Sequence, residues 1–185
     1  TDSDDGAGIT GVVNVWDEIY ILKDSLTQGI KKLAYTGSPI APFGILHVGD
    51  VGCLNEQSLV RINSPDLGQG VVYWGMDNNI RFWDGGVSTD ISVNIKPTLD
   101  ALTKTRVQYV QAVHWEALKW VLFIIPGYNA DPLLSTVIVY QYEFNAFTVF
   151  NGIDANAWVV INNQLFYGDV YNHLIKVHSP VLASD

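Results

Sequence analysis

Cys53 is the single thiol of this 185-residue chain, and it sits in Val51-Gly52-Cys53-Leu54. A nucleophilic cysteine needs a neighbour that lowers its pKa, such as a cation or a histidine. Only apolar residues and glycine surround it, so Cys53 reads as a buried, inert thiol, and one cysteine builds no internal disulfide. The four histidines, His47, His114, His173 and His178, form no i,i+4 pair, and none adjoins Cys53. Zinc-ligand spacing is therefore absent. Asp2-Ser3-Asp4-Asp5-Gly6 places carboxylates ahead of a glycine, as a calcium loop does, but two of them are adjacent and no Glu closes the loop. Ser58 has no Gly-x-Ser-x-Gly elbow around it, and no Gly-rich loop carries the Lys of a phosphate cradle. Asp84, Asp154 and Asp169 could hydrolyse a glycoside only if two carboxyls stood about 5–9 Å apart, which spacing alone does not establish. The expectation is a chain with no catalytic residue, no metal and no cofactor, hence not an enzyme.

The aromatic residues offer a different chemistry. Six tryptophans and nine tyrosines can stack on sugar rings or fill packing gaps. Trp16, Trp74, Trp83, Trp120 and Trp158 lie in or beside apolar strands and read as packing residues. Trp115 falls in the tight segment Trp115-Glu116-Ala117-Leu118-Lys119 and is the best exposed candidate. Tyr128, in the long turn from Pro126 to Pro132, and Tyr171 join it as possible contacts for a ligand or partner.

These residues must be positioned by strands. Short β-branched and aromatic runs alternate with Gly, Asn, Asp and Pro turns about every 8–12 residues, the all-β pattern. One phrase recurs, an apolar strand, a polar turn and a second apolar strand. Tyr20, Tyr73, Leu122 and Phe166 mark it at intervals of roughly 50 residues, the size of a blade repeat. The spacing predicts β-propeller-like blades, each an antiparallel four-stranded sheet, in about four units. The first unit lacks a clear fourth strand. Strands are expected at 9–16, 19–23, 71–74, 80–83 and 107–114, with a turn at Asp17-Glu18. Ile95 to Leu102 is the one plausible helix, with Pro97 in its first turn. Lys31-Lys32 reads as a solvated strand end. The expected layout is a flexible acidic N-terminus over 1–8, blades over 9–178 and a tail over 179–185.

Charge narrows the function classes. The net charge is −9, and charged residues make up only 16% of the chain. Nucleic-acid binding needs clustered Lys and Arg to neutralise phosphates, so specific binding of that kind is not expected. A low charge content with many aromatics suits a surface covered by other protein. No apolar run reaches the ~20 residues of a membrane helix. The acidic start is the opposite of a signal-peptide n-region. With Thr1 and no initiator Met, the chain reads as a processed or truncated product.

Several phrases together suggest a family. Ile9-Thr10-Gly11-Val12-Val13 with Trp16-Asp17-Glu18-Ile19-Tyr20 and Tyr35-Thr36-Gly37-Ser38-Pro39 resembles the strand–turn–loop phrase of phage β-propeller virion proteins. The stretch from Val51 to Val60 is similar to their blade opening, and Ile80-Arg81-Phe82-Trp83-Asp84-Gly85-Gly86 to their blade closing. Val139 to Phe150 and Leu165-Phe166-Tyr167-Gly168-Asp169 are similar to their last two blades. The resemblance, to the tail-tube or nozzle proteins of short-tailed phages, rests on pattern and on no invariant chemical motif. It implies a structural virion protein assembled in the host cytoplasm into the phage tail, through contacts with other tail proteins and in a homo-oligomeric ring. DNA would pass through such a ring without being gripped, as an acidic conduit favours. Either four blades close alone or the chain is part of a larger propeller. The alternative reading is a carbohydrate-binding propeller used in host attachment, with glycan held by Trp115, Tyr128 and Tyr171.

Overall fold

The computed structural model describes residues 6–102, 104–126, 135–151, 155–169 and 175–178. Among these the fold is all-β with little helix, in four antiparallel sheets. Sheet one holds β1 (Ile9–Val15), β2 (Glu18–Lys23), β3 (Ile30–Tyr35) and β4 (Phe43–Gly49). Sheet two holds β5 (Leu59–Ser64), β6 (Gly68–Trp74), β7 (Ile80–Trp83) and β8 (Thr89–Asp90). The short helices α1 (Lys96–Asp100) and α2 (Lys104–Val107) follow. Sheet three holds β9 (Gln111–Trp115), β10 (Trp120–Ile125), β11 (Thr136–Gln141) and β12 (Ala146–Asn151). Sheet four holds β13 (Ala155–Ile161), β14 (Gln164–Asp169) and β15 (Ile175–His178). Each sheet is a meander in which every strand pairs with its neighbours in sequence.

Turn chemistry sets the register. β1–β2 and β13–β14 are joined by two-residue turns in which both residues have positive φ: Trp16 at 52° and Asp17 at 62°, Asn162 at 50° and Asn163 at 60°. This geometry matches the twist of paired strands. Asn adopts it readily, whereas Trp does so at a cost. The Trp16 ring is held edge-on against Tyr20 and Trp83, with centroids 5.9 and 5.6 Å away. The turn is thus Trp16–Asp17, not Asp17–Glu18, because Glu18 already pairs with Val15.

Counted from the first pair beyond the turn, all four sheets share one layout. Those pairs are Val15↔Glu18, Ser64↔Gly68, Trp115↔Trp120 and Ile161↔Gln164. Two residues further on lie Tyr20, Gly70, Leu122 and Phe166. The marker Tyr73 is therefore replaced by Gly70. A side chain there has no room, since a Cβ on Gly70 would stand 2.5 Å from the Trp83 carbonyl and 2.7 Å from the Phe82 ring. We call the face carrying this position the front of each sheet and the opposite face the back.

Other differences have similar local causes. The first sheet has a complete fourth strand, β4, paired along β3 from Tyr35↔Phe43 to Ile30↔Gly49. Lys31 and Lys32 lie within β3 between two partner strands rather than at a solvated end. Lys31 is only 3% exposed, and Lys32 pairs with Glu18. The helix expected at 95–102 is a 3-10 turn, Val93–Ile95, running into α1. A second helix occupies 104–107, so β9 begins at Gln111. From α2 the Arg106 Nε donates to the Pro126 carbonyl at 3.1 Å.

The chain divides into two compact units, Thr1–Thr103 and Lys104–Asp185. In the first, the front of sheet one (Val13, Val15, Tyr20, Leu22) packs on the back of sheet two (Val71, Tyr73, Trp83). Tyr20 and Trp83 meet edge to face at 4.5 Å. Backbone closes tightly beside this core. A Cβ on Gly29 would lie 1.9 Å from the Gly52 nitrogen, and one on Gly52 would lie 1.8 Å from the Lys23 carbonyl. In the second unit the front of sheet three (Trp115, Leu122, Ile124) packs with Leu165 on the back of sheet four, with Trp158 and Val160 alongside. Sheets two and three are buried on both faces: Ile62, Val72 and Trp74 on the front of sheet two, Val121, Phe123 and Tyr140 on the back of sheet three.

Candidate functional site

Trp115 ends β9 at a front position, and this parity carries its ring into the core. It is 2% exposed, packs edge-on against Trp120 at 6.0 Å, and donates its indole N–H to the Asn163 carbonyl at 3.2 Å. The expectation of an exposed stacking ring is thereby corrected. Lys119, at φ 57°, turns the chain after the 3-10 segment Glu116–Leu118, so the hairpin loop begins one residue after Trp115. Tyr128 and Tyr171 lie outside the described residues.

Cys53 is buried, as its apolar setting suggests. Its thiol donates to the Asn55 carbonyl at 2.8 Å and lies 3.2 Å from Ser58 Oγ. Burial pushes it up to about 11, against the opposing pull of Ser58. It stays protonated at neutral pH and has no nucleophilic character. Among the described residues no three His, Cys, Asp or Glu side chains gather where a metal ion could be held. No helix there is long and apolar enough to cross a membrane.

One depression of the first unit, about 430 Å³, is lined by 47–51, Arg81 and 86–88. Arg81 is held by partners within the protein, although Asp77 Oδ1 is buried without a hydrogen bond. Arg81 Nε and Nη2 donate to Asp77 Oδ2 at 3.0 and 2.7 Å, and Nη1 donates to the Ser88 carbonyl at 2.9 Å. Burial disfavours the Asp77 carboxylate, but the guanidinium outweighs it and holds the carboxyl below its ordinary value. The Tyr73 hydroxyl donates to the Val51 carbonyl at 2.8 Å and lies 2.6 Å from Ser88 Oγ. This network ties sheet two to the loop after sheet one, and it reads as structural bracing.

Among the described residues, two sheet faces are uncovered. The back of sheet one presents Val12 (53% exposed), Ile19 (41%) and Ile45 (48%), with Ile21 and Leu33 half-buried between them. Tyr35 and Phe43 extend it at the far end of β3 and β4, edge to face at 5.9 Å. The front of sheet four presents Val159 (48%) and Ile161 (51%) on β13, with Phe166 half-buried on β14. A shallow apolar cavity of about 270 Å³ lies against β13 and β14, lined by residues of both faces, 157–159 and 166–168. The sequence hid both faces, because strand parity and register decide which apolar residues stay outside. The alternation of Val12, Asn14 and Ile19 against Val13, Val15 and Tyr20 is the one signal that could have shown the first.

Compared with known proteins, the chain matches no family model and no curated protein sequence.

Proposed function

We propose that the chain is a structural protein of the phage tail-tube or nozzle kind, whose meander sheets are β-propeller-like blades and which works through protein–protein contacts in a homo-oligomeric ring. The observation that carries this reading is the pair of uncovered apolar sheet faces. Soluble proteins rarely leave contiguous apolar surface bare unless something packs there. Successive antiparallel meanders in one register fit the repetition of blades. A charged fraction of 16% fits a subunit enclosed by partners, and a net charge of −9 suits a passage that repels DNA. The burial of Trp115 removes the leading residue of the carbohydrate-binding reading.

The test is the composition of virions from the native source. Mass spectrometry of purified particles, with antibody labelling in the electron microscope, is expected to locate the chain in a ring at the tail. Dispersed chains that never accompany particles would rule the reading out.

A further inference from the structure

We infer that copies of this chain join head to tail, the front of sheet four in one copy packing on the back of sheet one in the next. The inference rests on the assembly reading above and names the contact that the reading leaves open.

The register identifies the two halves. Aligned on their turns, Val13, Val15 and Tyr20 of sheet one correspond to Val159, Ile161 and Phe166 of sheet four. The first three are a covered front: they pack on sheet two. The second three are the same front left open. The same alignment sets Ile19 and Ile21 of sheet one against Leu165 and Tyr167 of sheet four. Leu165 belongs to a covered back, packed on sheet three. Ile19 belongs to the same back left open.

Each unit therefore forms one kind of junction, front on back, and among the described residues the front of sheet four and the back of sheet one are left exposed. Each open face continues a contact that the fold already makes, and each supplies what the other lacks. The chemistry is compatible: the described residues on the front of sheet four carry no charge, and those on the back of sheet one carry Lys23, the buried Lys31 and His47, all toward the end of the sheet away from Tyr35 and Phe43. A contact between different surfaces of identical chains is heterologous, and it generates rings or filaments rather than closed two-fold dimers.

Sedimentation velocity on the full chain tests this with two variants. Ile19→Glu blocks the back, and Val159→Glu blocks the front. Both positions are exposed, so circular dichroism and thermal unfolding should show both variants folded. The wild type is expected to associate beyond a dimer as concentration rises. Each variant alone should associate at least about a hundredfold more weakly, because an unpaired charge would be buried in an apolar contact. Mixed together, they should recover a one-to-one dimer and stop there, since one pair of intact faces remains. Ile19→Val should behave as wild type. A monomeric wild type, a variant that still associates alone, or a folded mixture that stays monomeric would each overturn the inference. Those results leave the tail reading standing on other contacts. Successful association without any tail location would overturn the tail reading and keep the contact.

Discussion

Cys53 and Trp115 occupy similar places, each sealed in the core of its unit, yet only one of them was legible. Cys53 has apolar neighbours in sequence, and burial follows from that. We expect Cys53 to resist thiol reagents in the native chain at pH 8 and to react once urea unfolds it; rapid native labelling would contradict its placement. The pH sign follows from the raised pKa. Cys53 holds its proton more tightly folded than unfolded, so its contribution is full below about pH 9 and is lost as pH climbs toward about 11. Tyr20, pushed up to about 12 by burial, acts in the same direction. The urea midpoint should therefore fall between pH 9 and 11, and a flat midpoint would argue against both burials. Trp115 has a polar neighbour, Glu116, which made it look like a loop residue. Its strand runs one residue further, and that residue faces inward. Trp115→Ala should destabilise the second unit by about 3–5 kcal/mol in chemical unfolding, whereas an exposed ring would cost little.

At the scale of the element, strands were legible wherever two-fold alternation or a continuous apolar run marked them, as in Trp120–Ile125. The four-residue helix 104–107 was not, because one turn is too short to display a 3.6-residue period. β4 was legible only over 45–48, because Pro39 and Pro42 punctuate the loop just before it and blur its start at Phe43. Turn residues carry much of the register. Asp17, at φ 62°, sits where L residues are strained. Asp17→Gly should be neutral or stabilising by up to about 1 kcal/mol, and Asp17→Val should destabilise by about 1–2 kcal/mol; equal midpoints for the two would refute the left-handed turn. Gly52→Ala should be far worse, since backbone rather than a movable side chain stands where its Cβ would go. Loss of a cooperative transition in the first unit is the expected result.

For the whole molecule, composition led to the proposal of a surface meant for protein, and the repeat to the expectation of several antiparallel sheets. Neither could say which faces stay open, because that depends on the parity of strands such as β2 and β13 and not on how apolar they are. In the proposed contact, long-range charge opposes association while the apolar faces favour it. Like-charged chains of net −9 repel, and salt screens that repulsion over about 10 Å at 0.1 M. Raising NaCl should therefore strengthen self-association; weakening would point to ion pairs in place of apolar faces. The common register has a last consequence, for descent. Where a front meets a back by one rule in both units, a further module added at the open front or the open back meets a compatible neighbour. Such a chain can change length in steps of one module without inventing a surface, so kin should differ in how many modules they carry sooner than in how those modules meet.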